Sequence, residues 1–136
     1  MTARIVIADD QEILREGVKY LLARARPEWE ICGEAVDGRQ AVDMTLALRP
    51  DLVILDISMP KLNGLSAVRQ ILRNRPQTQI LVFTVHESEQ TVREIHAAGA
   101  QQYLPKGKGS DDLLRVVREL LDGKKPASAA VAGSQA

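Results

Sequence analysis

The sequence predicts an α/β fold, a doubly wound five-stranded parallel sheet with five helices. Three observations carry that expectation. Short apolar runs of strand length alternate with longer segments whose apolar residues recur every three or four positions. Each connection is long enough for a crossover helix, as parallel neighbours require. The clearest run, Leu52-Val53-Ile54-Leu55, is apolar at every position, as a strand covered on both faces must be.

Arg4 to Ala8 reads as the first strand. Gln11 to about Ala25 is helical, because Ile13, Leu14, Val18, Leu21 and Leu22 fall on one stripe; Arg26-Pro27 closes it. Trp29 to Gly33 gives a second strand, with Trp29 packed at its start. Ala35 to Leu48 gives a second helix, stopped at Arg49-Pro50. Leu52 to Leu55 is the central strand, bounded by Asp51 and the turn at Pro60. Ser58 to Gly64 is a loop, and a third helix runs from about Leu65 to Arg73, ending before Pro76. Ile80 to Phe83 is the fourth strand. Ser88 can cap a fourth helix carrying Val92, Ile95 and Ala98, with Gly99 suited to the left-handed residue at its end. Gln101 to Leu104 is a fifth strand, and Ser110 to Leu121 a last helix on the stripe Leu113, Leu114, Val117, Leu120 and Leu121.

At 136 residues the chain holds one domain with a real core. Lys plus Arg (18) balance Asp plus Glu (18), so no overall charge field attracts nucleic acid or an anionic membrane. No apolar stretch is long enough to span a bilayer, and Met-Thr-Ala-Arg does not open a secretory signal. A cytoplasmic protein is expected. Cys32, in the apolar run around Ile31, reads as a buried small hydrophobe. Residues 123–136, mostly small and polar, read as a disordered tail or the start of a linker, leaving the domain to residues 1–122.

The chemistry is expected at the carboxyl ends of the strands, where open α/β sheets bind ligands. Asp9 and Asp10 end the first strand and Asp56 the third, and these strands are neighbours in the common order 2-1-3-4-5. Three carboxylates crowded together must take up protons or be compensated by a cation. Oxygen-only ligands suit a hard ion, Mg²⁺ rather than zinc. Thr84 and Lys106 follow strands four and five. A hydroxyl and an ammonium opposite an acidic cluster suit an incoming phosphoryl group, which Asp56 could accept as an acyl phosphate.

With those residues in place, the chain resembles, over residues 4 to 122, the receiver domains of bacterial two-component response regulators. It is most similar to the receivers of NarL/LuxR-type transcriptional regulators. The likeness rests on Ile5-Val6-Ile7-Ala8-Asp9-Asp10-Gln11, Arg15-Glu16-Gly17, Gly33-Glu34-Ala35, Asp37-Gly38 and Arg49-Pro50-Asp51. Asp56-Ile57-Ser58-Met59-Pro60, Asn63-Gly64, Thr84-Val85-His86, Gly99-Ala100 and Tyr103-Leu104-Pro105-Lys106 complete it.

The resemblance implies a flavodoxin-like receiver fold and a phosphorylation switch. Asp56 would be the phosphoacceptor. Asp10, Asp56 and the Ser58 main-chain carbonyl would ligate Mg²⁺, with Asp9 acting through a bound water. Thr84 and Lys106 would hold the phosphoryl oxygens, and the rotamer of Tyr103 would follow the movement of Thr84. The donor would be a sensor histidine kinase. The protein would not be an enzyme beyond phosphorylating itself from small donors and dephosphorylating itself. Phosphorylation could bring homodimerisation, through the face marked by Arg93, Glu94 and Gln101-Gln102 or through the first and last helices. DNA would be reached only through an output domain absent from this chain.

Three departures from the family pattern stand out. Gln11 replaces a frequent His, Lys61 follows Pro60 where a small residue is common, and Pro105 precedes Lys106, with Gly107 after it. A trans Leu104-Pro105 bond is expected. His86 lies where it could modulate a water or a partner contact, whereas His96 reads as ordinary surface. Two other functions compete. One is a receiver-like protein-interaction module without switching, hinted at by Lys61 and Pro105. The other is a metal-dependent phosphatase resembling the haloacid dehalogenase family. Its Asp-x-Asp signature does not match the adjacent Asp9-Asp10, and the chain has no cap domain.

Overall fold

The computed structural model describes residues 2–122. The reading of residues 123–136 lies outside them. Five strands, β1 (Ala3–Ala8), β2 (Trp29–Ala35), β3 (Leu52–Leu55), β4 (Gln79–Thr84) and β5 (Gln102–Pro105), form one parallel sheet in the order β2-β1-β3-β4-β5. The helices are α1 (Glu12–Ala25), α2 (Gly38–Leu48), α3 (Gly64–Asn74), α4 (Glu89–Ala98) and α5 (Ser110–Asp122).

The consecutive apolar residues of each strand serve two cores. Ile5, Ile7, Leu52, Ile54, Leu81, Phe83 and Leu104 pack with Val18 and Leu22 of α1 and with Leu113, Val117 and Leu121 of α5. The alternate residues Val6, Ala8, Val53, Leu55, Ile80 and Val82 pack on the other face against α2, α3 and α4. Successive strand residues point to opposite faces, so two covered faces require an unbroken apolar run.

Sequence and structure differ mainly at one boundary. The expected second helix begins at Ala35, but Ala35 is the buried last residue of β2, paired with Ala8. Asp37 ends that extended stretch by accepting a hydrogen bond from Gln40 N (2.8 Å), so α2 starts at Gly38. Gly38 is required there, because a Cβ would lie 1.8 Å from the carbonyl oxygen of Leu62. Asn63 caps α3 in the same way, through Ser66 N (2.9 Å), which moves its start ahead of Leu65. β5 extends through Pro105 and starts after Gln101, whose side chain instead accepts from Ile80 N (2.7 Å).

Other expectations hold as read. Ser88 accepts from Thr91 N (3.1 Å), and Gly99 ends α4 at φ 107°. Trp29 is buried at the head of β2, with the Arg26 guanidinium 5.2 Å from its ring. His96 is exposed. Among the described residues all peptide bonds are trans, including Leu104-Pro105. Cys32 is only half-buried, at the edge of the α2–α3–α4 core, because β2 is an outer strand; burial still pushes its thiol up.

Candidate functional site

The register of the ladders places the acidic residues side by side. Ala8 pairs with Leu55, and Asp56 N donates to Ala8 O (2.9 Å), so Asp9 and Asp56 leave the sheet at the same height. Asp9, Asp56 and Lys106 also share the two-residue phase of Ile7, Ile54 and Leu104, which is the face of α1 and α5. Thr84 and Tyr103 have the opposite phase.

One carboxylate oxygen from each of Asp9, Asp10 and Asp56 lies within 4.8 Å of the others. Asp9 and Asp56 are buried, at 3% and 4% exposure, while Asp10 opens to solvent. Lys106 Nζ sits between the buried pair, 2.7 Å from Asp9 Oδ2 and 2.9 Å from Asp56 Oδ2. The other oxygen of Asp56 accepts from Ser58 N (3.0 Å), and Asp9 Oδ1 accepts from Gln11 N (2.9 Å).

These contacts set the protonation balance. Burial pushes the Asp9 carboxyl up, and the hydrogen bonds from Lys106 and Gln11 only partly offset that; nearby Asp56 adds to the rise. For Lys106, burial acts to lower the ammonium's pKa. Its hydrogen bonds to Asp9 and Asp56 outweigh that and hold it above the ordinary lysine range. The two shifts fit together: one ammonium serves two carboxylates and is stabilised by both. Three carboxylates against one ammonium leave a crevice of formal charge −2, matched in sign and hardness to a divalent cation held by oxygens.

Thr84 ends β4, fully buried, and its carbonyl accepts from Lys106 N (2.8 Å), tying the two residues' backbones together. Tyr103 OH donates to the carbonyl of His86 (3.0 Å), two residues past Thr84. Lys61 sits at φ 71°, in the left-handed region, with its ammonium 3.9 Å from the buried Asp37 carboxylate. A lysine thus holds a backbone conformation that suits glycine, at a conformational cost.

Two features have no counterpart in the sequence reading. Arg15 Nη1 donates to the Asp9 carbonyl (2.9 Å), while its Nε bonds Glu34 (2.9 Å), which Lys19 also reaches (2.7 Å). The charge pattern of α1 offered a hint, but nothing in sequence pairs it with β2. The second is the hydrogen bond between Ser58 Oγ and His86 Nε2, which joins the β3–α3 and β4–α4 loops.

Five parallel strands in this order, carrying an acidic cluster and a lysine at their carboxyl edge, define a flavodoxin-like domain of the receiver type. Comparison with known proteins gives the family. The chain belongs to the response regulator receiver domain family, whose model matches residues 5–118.

Among relatives, the transcriptional regulatory protein DegU of Brevibacillus brevis is 38% identical over 120 residues, covering 88% of this chain and 50% of that protein. The nitrate/nitrite response regulator protein NarL of Escherichia coli (strain K12) is 35% identical over 129 residues, covering 95% and 59%. The chain thus spans roughly half of these relatives' length. A LuxR-family two-component response regulator from Aurantimonas sp. SI85-9A1 superposes with a TM-score of 0.84 at 32% identity, covering 90% of this chain and 87% of that one. The signal receiver domain of a NarL response regulator from Mycobacterium tuberculosis gives 0.81 at 27% identity, covering 90% and 98%.

Proposed function

We propose that residues 1–122 form a phosphorylation-controlled switch in which Asp56 accepts a phosphoryl group from a phosphohistidine of a sensor histidine kinase. The observation that carries this reading is the double contact of Lys106 Nζ with Asp9 and Asp56 inside the acidic cluster. A lysine that served only solubility would not be 10% exposed between two buried carboxylates.

In the transfer, a carboxylate oxygen of Asp56 bonds to phosphorus as the donor's imidazole nitrogen leaves with the electron pair. Lys106 keeps its proton through its hydrogen bonds to Asp9 and Asp56, and its ammonium would pass from Asp56 to the new phosphoryl oxygens, which the Thr84 hydroxyl would also bind. Asp10, Asp56 and the Ser58 carbonyl would hold Mg²⁺ directly and Asp9 through a water. When bound, the ion supplies charge neutralisation for the transferring group. Loss of the phosphoryl group to water in the same crevice would reset the switch, with no other enzymatic activity.

Drawing Thr84 toward a phosphoryl group would shift the backbone it shares with His86, whose carbonyl holds Tyr103. The rotamer of Tyr103 thereby reports the state of Asp56 on the α4–β5 face, where homodimerisation on phosphorylation would be read out. Among the described residues no helix is long and apolar enough to cross a membrane. Cytoplasmic placement, control of transcription and contact with DNA through an output domain belong to the same proposal, and the transcriptional regulator among the relatives supports the output reading.

The test is acid-labile labelling of the protein by a small phosphodonor with Mg²⁺. Wild type should label and Asp56→Asn should not; equal labelling of the two would remove Asp56 from the role.

A further inference from the structure

Asp10 differs from the other two carboxylates of the cluster. Asp9 and Asp56 are each held by Lys106 and by a backbone N–H. Asp10 is exposed, and no group among the described residues bonds its carboxylate. Its direction is therefore set by its backbone. The peptide unit joining Asp9 to Asp10 is planar, so whatever fixes the Asp9 carbonyl also fixes the plane from which the Asp10 side chain departs. That carbonyl accepts from Arg15 Nη1 (2.9 Å).

Arg15 is held in turn. It stands near the start of α1 with its side chain only 12% exposed, and its Nε donates to Glu34 Oε1 (2.9 Å) on β2. Lys19 Nζ donates to the other oxygen (2.7 Å), so each Glu34 oxygen has its own cation. The guanidinium thus reaches from β2 to the turn after β1 with both ends anchored. Its planar fork loses little freedom in making both bonds.

We infer that Arg15 is a positioning residue for the metal site: braced by Glu34, it aims Asp10 by holding the Asp9–Asp10 peptide, and so sets the affinity for Mg²⁺. The inference rests on the Mg²⁺ reading of the acidic cluster and adds two residues that the reading does not use. Charge alone makes the opposite demand. A guanidinium beside the Asp9 carbonyl repels a dication at the adjoining carboxylates, so its removal would tighten binding, whereas loss of the Glu34 charge would loosen it. Positioning reverses the first sign. It also cancels most of the second effect in Glu34→Gln, whose amide oxygen still accepts from Arg15 Nε.

The experiment titrates Mg²⁺ into the whole chain without any phosphodonor and follows backbone amide NMR signals at the crevice to obtain a dissociation constant. Arg15→Ala should weaken Mg²⁺ binding about tenfold, the lower end of what removing a group behind a metal ligand costs. Arg15→Lys keeps the charge and one of the two contacts, and should lose less. Glu34→Gln should stay close to wild type. Unchanged or tighter binding by Arg15→Ala, or a loss in Glu34→Gln as large as that in Arg15→Ala, would overturn the brace. Glu34→Ala removes the same charge as Glu34→Gln and the acceptor besides, so it should bind Mg²⁺ more weakly than Glu34→Gln. Equal affinities of those two would overturn the brace even where Arg15→Ala failed to fold.

The carbonyl-carbon NMR signal of Asp9 gives a check that needs no metal. It should move on Arg15→Ala, and a static signal would overturn the contact whatever the titrations show. A wild-type protein that binds no Mg²⁺ would instead bring down the metal reading and this inference with it. That result is distinct from a wild type and variants that all bind Mg²⁺ equally well, which defeats the brace alone.

Discussion

Lys106 and Asp56, 50 positions apart in sequence, meet at 2.9 Å in a crevice where both side chains are nearly buried. Removing the ammonium leaves Asp9 and Asp56 facing each other uncompensated, a situation that costs on the order of 3 kcal/mol when burial is complete. In this half-open site we expect Lys106→Ala to lose about 2 kcal/mol of stability in metal-free buffer. Urea denaturation should show the deficit shrinking as Mg²⁺ is added, because a dication can take over the charge. A deficit that ignored Mg²⁺ would mean that packing, not charge, was lost.

Magnesium should stabilise the wild-type protein by mass action, by about 1.4 kcal/mol at ten times its dissociation constant. For a domain of this size that is a rise of roughly 4–6 °C in melting temperature. Asp10→Asn, which removes the solvent-facing carboxylate of the cluster, should abolish most of the rise while leaving the metal-free melt close to wild type. Differential scanning calorimetry with and without Mg²⁺ measures both.

Glycines 64 and 17 provide a matched pair. A Cβ on Gly64 would stand 2.2 Å from Ile57 Cα and 2.9 Å from the Asp56 carbonyl oxygen, whereas one on Gly17 would meet nothing within 4 Å. Gly64→Ala should cost about 1–3 kcal/mol and lower the labelled fraction, since the backbone next to Asp56 must move. Gly17→Ala, in the middle of α1, should stabilise by up to about 1 kcal/mol. Chemical unfolding of the two variants side by side decides it.

The left-handed backbone of Lys61 should be cheaper with glycine. An L-residue there costs about 1–2 kcal/mol, partly offset by the greater freedom glycine has in the unfolded chain. The ion pair with Asp37 is long and its lysine 73% exposed, so little is lost with it. Lys61→Gly should therefore gain about 0.5–1 kcal/mol. An unchanged urea midpoint would show that the conformation carries no penalty.

Glu34 gives the expected pH dependence. The hydrogen bond from Lys19, backed by one from Arg15, holds its carboxyl below the ordinary glutamate range against the rise that burial causes. A carboxyl depressed by folding adds stability above its unfolded value and loses it as pH falls through the folded one. Glu34→Gln should thus cost up to about 1 kcal/mol near neutrality, the scale of a partly exposed ion pair. The gap to wild type should close in acid. Stability curves of both proteins from neutral pH down to about 3 would test the sign.

Much of this was legible in the sequence, for identifiable reasons. Short unbroken apolar runs bounded by turn residues read as strands covered on both sides, and a strand's end fixes where the next side chain stands; that located Asp9 and Asp56, while Lys106 came from the more polar strand Gln101 to Leu104. The start of α2 was not legible, because Ala35 is a strong helix former that here ends a strand, and the deciding hydrogen bond is the one Asp37 accepts from Gln40 N. The contact between Ser58 and His86 lay further out of reach. It depends on how two loops 28 positions apart fold over the sheet edge, and no periodicity constrains loops. Arg15 and Glu34 were hidden for the same reason, since their meeting depends on how α1 lies against β2.

The pairing of Ala8 with Leu55 also bears on how such a chain can diverge. A single codon gained or lost within Ile5–Ala8 or Leu52–Leu55 would turn every later side chain of that strand to the other core and carry an aspartate out of the cluster. A change of length should therefore be cheaper in the connections at the amino-terminal edge and in the exposed turns, which do not set that register.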